Sequence, residues 1–303
     1  KWNITDLPEF ELAITIDRPE LYYDFLQKDW TRFCHDYWKN NFLEHHTLSK
    51  KRVTRIYIGN QFCHNLFPRK KLLFQVLEKA LENNLAVTLA FTYIRNHLLE
   101  EIDELLQELE VWCQSREKEA GKDQEEIIVN DWAMPILLQG KPHLKPVLGV
   151  LLNKRRKDVR LPYKHGIGNH VDSLAENNLN CGFYQDYLKN TFDIQRFEFE
   201  SCGYKVTIPD GHHSLHLPFF QTNTSQYCTL YAVCRYGDRG KQKLPENCPR
   251  YCNKKVFLYP KHLKMVGRYN SLFGYDEKIL WDEKQLQDYL EQGIDRIVVN
   301  VSL

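Results

Sequence analysis

Polar and apolar residues alternate over Phe10 to Asp17. Apolar positions then recur every third or fourth residue at Leu21, Tyr22, Phe25, Leu26, Trp30, Phe33, Tyr37 and Trp38. This predicts a strand followed by one amphipathic helix to about Tyr37, with Pro19 suited to its first turn. The pattern repeats with a strand at Val53–Ile58, a helix carrying Leu72, Leu73, Val76, Leu77, Ala80 and Leu81, and a strand at Leu85–Phe91. A third helix carries Leu99, Ile102, Leu105, Leu106, Leu109 and Trp112, before a charged loop around Ser115 to Glu126 and a strand at Ile127–Asn130. Further strands are expected at Pro146–Leu152, Gln195–Glu200, Ser214–Phe220, Lys255–Tyr259 and Arg296–Val301, and a helix at Glu283–Gln292. Strands alternating with helices imply an α/β fold with parallel pairing, and a TIM-like (β/α) barrel, irregular if need be, is preferred to an open doubly wound sheet. The stretch His165-Gly166-Ile167-Gly168-Asn169-His170 lacks the third glycine and the preceding strand of a dinucleotide fingerprint.

With no repeat or linker in view, residues 1–303 read as one barrel domain carrying a cysteine-rich segment at 221–254. Composition narrows the class: 43% hydrophobic and 27% charged residues exclude a disordered chain. A net charge of +1 gives no field that would steer the molecule onto nucleic acid, so nucleic acid is not an expected partner. No apolar run approaches the ~20 residues of a membrane helix, so no membrane span is expected. The opening residues Lys1 to Asp6 carry no apolar signal core, although a start without Met suggests trimming upstream, and a cytoplasmic location is the expectation.

The nine cysteines are at 34, 63, 113, 181, 202, 228, 234, 248 and 252. An odd count without an export signal fits a disulfide framework badly. Four fall between Cys228 and Cys252, where Cys248-Pro249-Arg250-Tyr251-Cys252 forms a C-x3-C unit able to share one metal centre. Cys63 follows a strand and Gly59, the address at which barrel active sites are built. Such a thiolate set suits an iron–sulfur cluster or zinc, and spacing alone does not separate them. The alternative is a group of unligated thiols behaving as small hydrophobes. Against it stand Asp238, Arg239, Lys241, Lys243, Glu246 and Asn247, which rule out a buried apolar strand. Cys34, Cys113, Cys181 and Cys202 read as structural, and Cys234 as a spare thiol or a replacement ligand.

The sequence resembles the collagenase-like U-type peptidase family, which includes the anaerobic ubiquinone-hydroxylation proteins UbiU and UbiV and prephenate-dependent RNA hydroxylases; it is most similar to the UbiV members. The resemblance spans most of the chain. It is carried by Ile56-Tyr57-Ile58-Gly59 with Cys63, by Ile128-Val129-Asn130-Asp131, and by Leu215-His216-Leu217-Pro218 followed by Ser225, Cys228, Cys248 and Cys252. It implies a four-cysteine cluster, [4Fe-4S] in preference to zinc, held by Cys63, Cys228, Cys248 and Cys252. It further implies oxygen-independent hydroxylation with an anionic small molecule such as prephenate. Two departures bear on the substrate: Tyr227 replaces the family's Arg before Cys228, and His64 and Asn65 replace its Lys and Arg after the first cysteine.

Other candidates are Asp131, at a strand end, as a proton acceptor or turn cap, and His216 near the cluster. Arg155 and Arg156, within the basic run Lys154 to Lys157, are candidate anion contacts. His212 and His213 are expected at the surface, and His165, His170 and Asp172 are not expected to form a metal site. No HExxH or GxSxG motif supports hydrolysis. The expected function is an iron–sulfur redox enzyme of the hydroxylating type. A non-catalytic cluster-bearing subunit and an RNA-modifying hydroxylase are the alternatives, and the expected protein partner is a related barrel subunit or a second copy of the chain.

Overall fold

The computed structural model describes residues 7–120, 124–160, 174–245 and 247–301. The motifs around His165, His170 and Asp172, together with Lys1–Asp6 and Glu246, lie outside the described residues. Eight parallel strands follow one another around a nearly closed barrel: β1 (Glu11–Ile16), β2 (Arg55–Gly59), β3 (Ala86–Ala90), β4 (Glu125–Val129), β5 (Leu144–Leu148), β6 (Glu198–Glu200), β7 (His213–Leu217) and, last in the chain, Ile294–Val299. That last strand pairs with β1, and a single bridge between Leu148 and Phe197 joins β5 to the β6 side. The fold is therefore the expected TIM-like barrel.

Strand parity sorts the side chains. Leu12, Ile14, Ile16, Ile56, Ile58, Leu89, Ile127, Val129, Leu215 and Ile297 face outward into the main core, where helices cover them. The covering helices include α1 (Pro19–Gln27), α2 (Trp30–Asn40), α3 (Lys70–Glu82), α4 (Leu99–Ala120), α5 (Ala133–Leu137) and α6 (Gly182–Phe192). Positions of the opposite parity line the barrel interior. A middle layer of Ala13, Tyr57, Ala90, Ile128, Val147 and Val298 is apolar apart from one hydroxyl. Below it lies a charged layer, in which Arg296 donates to both oxygens of Glu126 at 2.6 and 3.1 Å and Arg55 reaches Glu11 at 3.0 Å. Burial alone would raise the Glu126 carboxyl, but Arg296 and Arg55 more than offset it and hold it at about 2.

Between β7 and the closing strand the chain leaves the barrel. It forms β8 (Phe219–Thr224), α7 (Thr229–Tyr236), β9 (Phe257–Leu258), β10 (Met265–Arg268) and β11 (Ser271–Tyr275), then α8 (Glu283–Glu291) and the closing strand β12 (Ile294–Val299). Strands β8 to β11 make a separate antiparallel sheet in the order β8-β11-β10-β9. The structure revises three expectations. The first long helix is two, because Lys28 is extended and the Asp29 side chain caps α2 by accepting from Arg32 N at 2.9 Å. The charged stretch after Trp112 remains helical to Ala120. The strand expected over Ser214–Phe220 is divided at Pro218 into a barrel strand and an insertion strand.

Candidate metal centre at the barrel mouth

Cys63 is placed by a turn that the sequence dictates residue by residue. Gly59 ends β2 at φ +108°, and a Cβ there would lie 2.5 Å from the Ala90 carbonyl oxygen, so no other residue fits without displacing backbone. Asn60 then closes the turn, its Oδ1 accepting from the backbone N–H groups of Phe62 and Cys63, both at 2.9 Å. Asn270, between β10 and β11, donates to the carbonyls of Phe62 at 2.8 Å and Ser225 at 2.7 Å, tying the early loop to the segment that leads into Cys228.

The other three cysteines come from the insertion. Cys228 precedes α7, its sulfur accepting from Tyr231 N at 3.3 Å and lying 3.0 Å from the Tyr269 carbonyl. Cys248 and Cys252 flank Arg250, whose backbone is left-handed at φ +54°, so that the chain doubles back between them. Cys63, Cys228, Cys248 and Cys252 all line one small cavity, closed by Leu66, Leu230, Tyr251 and Tyr269 among others. Cys252 belongs to a satellite core with Leu66, Leu230, Tyr269 and Phe273, and Cys63 and Cys228 pack against it. Cys234, on α7, packs against this core, but the cavity wall does not include it.

Burial pushes the Cys63 and Cys252 thiols up to about 12 and Cys228 up to about 11, each thiolate further opposing its neighbours. Left to themselves these groups stay protonated at neutral pH. Four thiolates become stable together only around compensating positive charge, which is what a metal centre supplies. Among the described residues no three Cys, His, Asp or Glu side chains converge on one point closely enough to hold a single ion. One zinc with Zn–S bonds of ~2.3 Å needs its sulfurs within about 4 Å of each other. A cluster would instead spread its thiolates over separate irons.

Tyr269 also borders a second cavity, of about 40 Å³, on the barrel axis and large enough for a few water molecules. His216 lines it. The His216 ring is buried, with Nε2 bonded to Glu198 Oε2, and packs edge-on against Tyr57 at 5.5 Å. The Tyr57 hydroxyl donates to Glu198 Oε1 at 3.0 Å and accepts from Arg296 at 3.1 Å. Burial works against the Glu198 carboxylate, yet His216 and Arg296 hold it below the usual range. Glu200, on the same cavity wall, accepts from Lys157 Nζ at 2.6 Å and from Gln221 N at 2.7 Å.

No family model, curated protein or solved structure matches the chain. The site therefore rests on its own geometry. Asp131 stands apart from the thiols: its carboxylate accepts from the amides of Ala133 and Met134, both at 3.1 Å, and of Ile94, which is turn-capping work. Arg155 is turned toward the Cys202 sulfur at 2.9 Å and the Glu200 carbonyl, while Arg156 is exposed; Lys157 is the member of that basic run that meets the axial cavity's carboxylate. His212 is exposed beside Asp295, but His213, expected at the surface, is 1% exposed. It occupies the outward face of β7, and in a barrel that face is covered by the surrounding layer rather than by water. Asn60, Asn270, Tyr269, Glu198 and Glu200 were not singled out from the sequence; of these, only Asn60, directly after a strand-ending glycine, carries a local turn signal.

Proposed function

We propose that this protein is an iron–sulfur redox protein whose cluster is held by Cys63, Cys228, Cys248 and Cys252 at the C-terminal mouth of the barrel. The observation that carries the reading is the convergence on one cavity of a thiol from the β2 loop with three from the insertion after β7. Thiols scattered through a reduced protein as packing would have no reason to meet. The cavity measures only about 20 Å³. Cluster binding would thus need the cavity to widen; part of its wall, Tyr251 and Cys252, lies in the short 3-10 turn Tyr251–Asn253.

A bound cluster would supply one-electron chemistry. The chain's own contribution is proton handling beside it. His216 lines the axial cavity and shares a buried bond with Glu198, so a proton can be held at His216 Nε2 and exchanged with water there. Together with the family resemblance, this supports oxygen-independent hydroxylation of a small molecule, with an anionic oxygen donor of the prephenate type. A second reading, a non-catalytic cluster-bearing subunit paired with a related barrel, draws on Tyr227. That residue is partly exposed where the family carries a cation before the cysteine. Turnover by the lone chain would eliminate it.

Anaerobic purification with iron and sulfide analysis and a visible spectrum tests the proposal. Single Cys→Ser changes at 63, 228, 248 and 252 are each expected to cut iron content at least severalfold, and Cys113→Ser to leave it unchanged. A colourless protein with one zinc, or equal iron loss at Cys113, would overturn the assignment.

A further inference from the structure

Beside the thiol cavity, and sharing Asn65, Cys248 and Arg250 with its wall, lies a groove of about 430 Å³. That volume is in the range of small-molecule sites. A wider depression of about 690 Å³ lies against α8, but it holds no thiol and mixes Lys278 and Lys284 with Asp282, Asp288 and Glu291, the composition of a solvated surface. The groove differs in kind. Its apolar lining includes Phe67 and Phe91, stacked at 4.4 Å, and Leu98, Ile102 and Leu105 from the start of α4 and the turn before it. Thr92, two residues past the end of β3, also lines it, and its buried Oγ1 has no hydrogen-bond partner. A buried hydroxyl without a partner costs about 1–3 kcal/mol, which a ligand atom could recover.

The charges are divided between walls. Helix α4 contributes Glu101, Glu104 and Glu108, with Glu108 paired to Lys70 at 2.9 Å, whereas Arg69 lies just before α3 and Arg250 enters from the cysteine loop. An anionic group is repelled from the α4 side and drawn to the two arginines, of which Arg250 is on the wall shared with the thiols.

We propose that this groove is the substrate site, taking a small organic anion with a ring-sized apolar body, its acid group toward Arg250. The proposal rests on the reading of the thiol cavity as the redox centre and assigns the approach to it. The probe is 8-anilinonaphthalene-1-sulfonate, compared with uncharged N-phenyl-1-naphthylamine, titrated by fluorescence onto the purified full chain. The sulfonate is expected to bind saturably at one site, about tenfold more weakly in Arg250→Gln, and to lose that site in Ile102→Trp, which fills the groove. The neutral probe should bind less tightly and be indifferent to Arg250→Gln. Sulfonate binding that survives Ile102→Trp, or that matches the neutral probe and ignores Arg250→Gln, would overturn the proposal. Circular dichroism checks folding, with Leu98→Trp as a second filling variant. Iron content is read separately: an iron-free protein that still shows the expected probe pattern refutes the cluster and keeps the groove, whereas a loaded protein without that pattern does the reverse.

Discussion

His213 is a neutral base held in one tautomer. Its Nδ1 accepts from Phe197 N at 3.2 Å, its Nε2 lies 3.3 Å from the Asp210 carbonyl and so carries the proton, and its ring stacks on Phe197 at 4.8 Å. Burial lowers its pKa from 6.5 to about 4. Above pH 6.5 neither state is protonated and the histidine adds no pH dependence. As the pH falls from 6.5 toward 4 the unfolded chain takes up the proton first, so folding stability drops, by at most ~3 kcal/mol. Denaturant midpoints measured across that window should show the fall, and His213→Gln should remove about half of it. His64, depressed to about 4 chiefly by burial, leaves a residual slope. Parity in the sequence places His213 opposite His216. What it lacks is the environment of each face, which only the barrel's layers decide.

At the scale of the element, the turn after β2 is the part of the site most legible beforehand. Gly59 and Cys63 follow an alternating run, and the chain does turn there, with Cys63 at the cavity. The partner that fixes the turn from the other side was hidden. Asn270 acts from the hairpin of β10 and β11, whose four- and five-residue strands each contain a glycine and so give little alternation to detect. Gly274 is needed because Phe220 lies 2.2 Å from where its Cβ would be, a reason invisible until β8 and β11 are paired. Gly59→Ala is expected to cost more than ~1 kcal/mol, since it combines an unfavourable φ with a backbone clash. It should also lower iron content by shifting Cys63. Urea unfolding and iron analysis on the same preparation measure both, and a fully loaded variant would show that the turn does not set the thiol's position.

At the scale of the whole molecule, two bodies of unequal strength share the thiols. The alternation of strands and helices made the barrel legible. The expected closure also holds, but where the sheet meets itself was not legible, because the join is one bridge between Leu148 and Phe197, far apart in sequence. The barrel has an extensive core of its own, but the insertion has few apolar residues to bury, and two of the four candidate ligands arrive on the loop after α7. A small core gains much of its order from a metal, because binding free energy and folding free energy are then the same quantity. Removing iron with a chelator under reducing, anaerobic conditions should therefore loosen the insertion and spare the barrel. Hydrogen exchange read by mass spectrometry would show protection falling at least tenfold over residues 228–254, with the peptides of β1 to β4 unchanged. Equal protection before and after chelation would mean that the sulfurs are packing atoms, and uniform loss across both bodies would mean that the insertion cannot come apart without the barrel. Loss confined to the insertion is what a metal-ordered segment on a self-sufficient barrel requires.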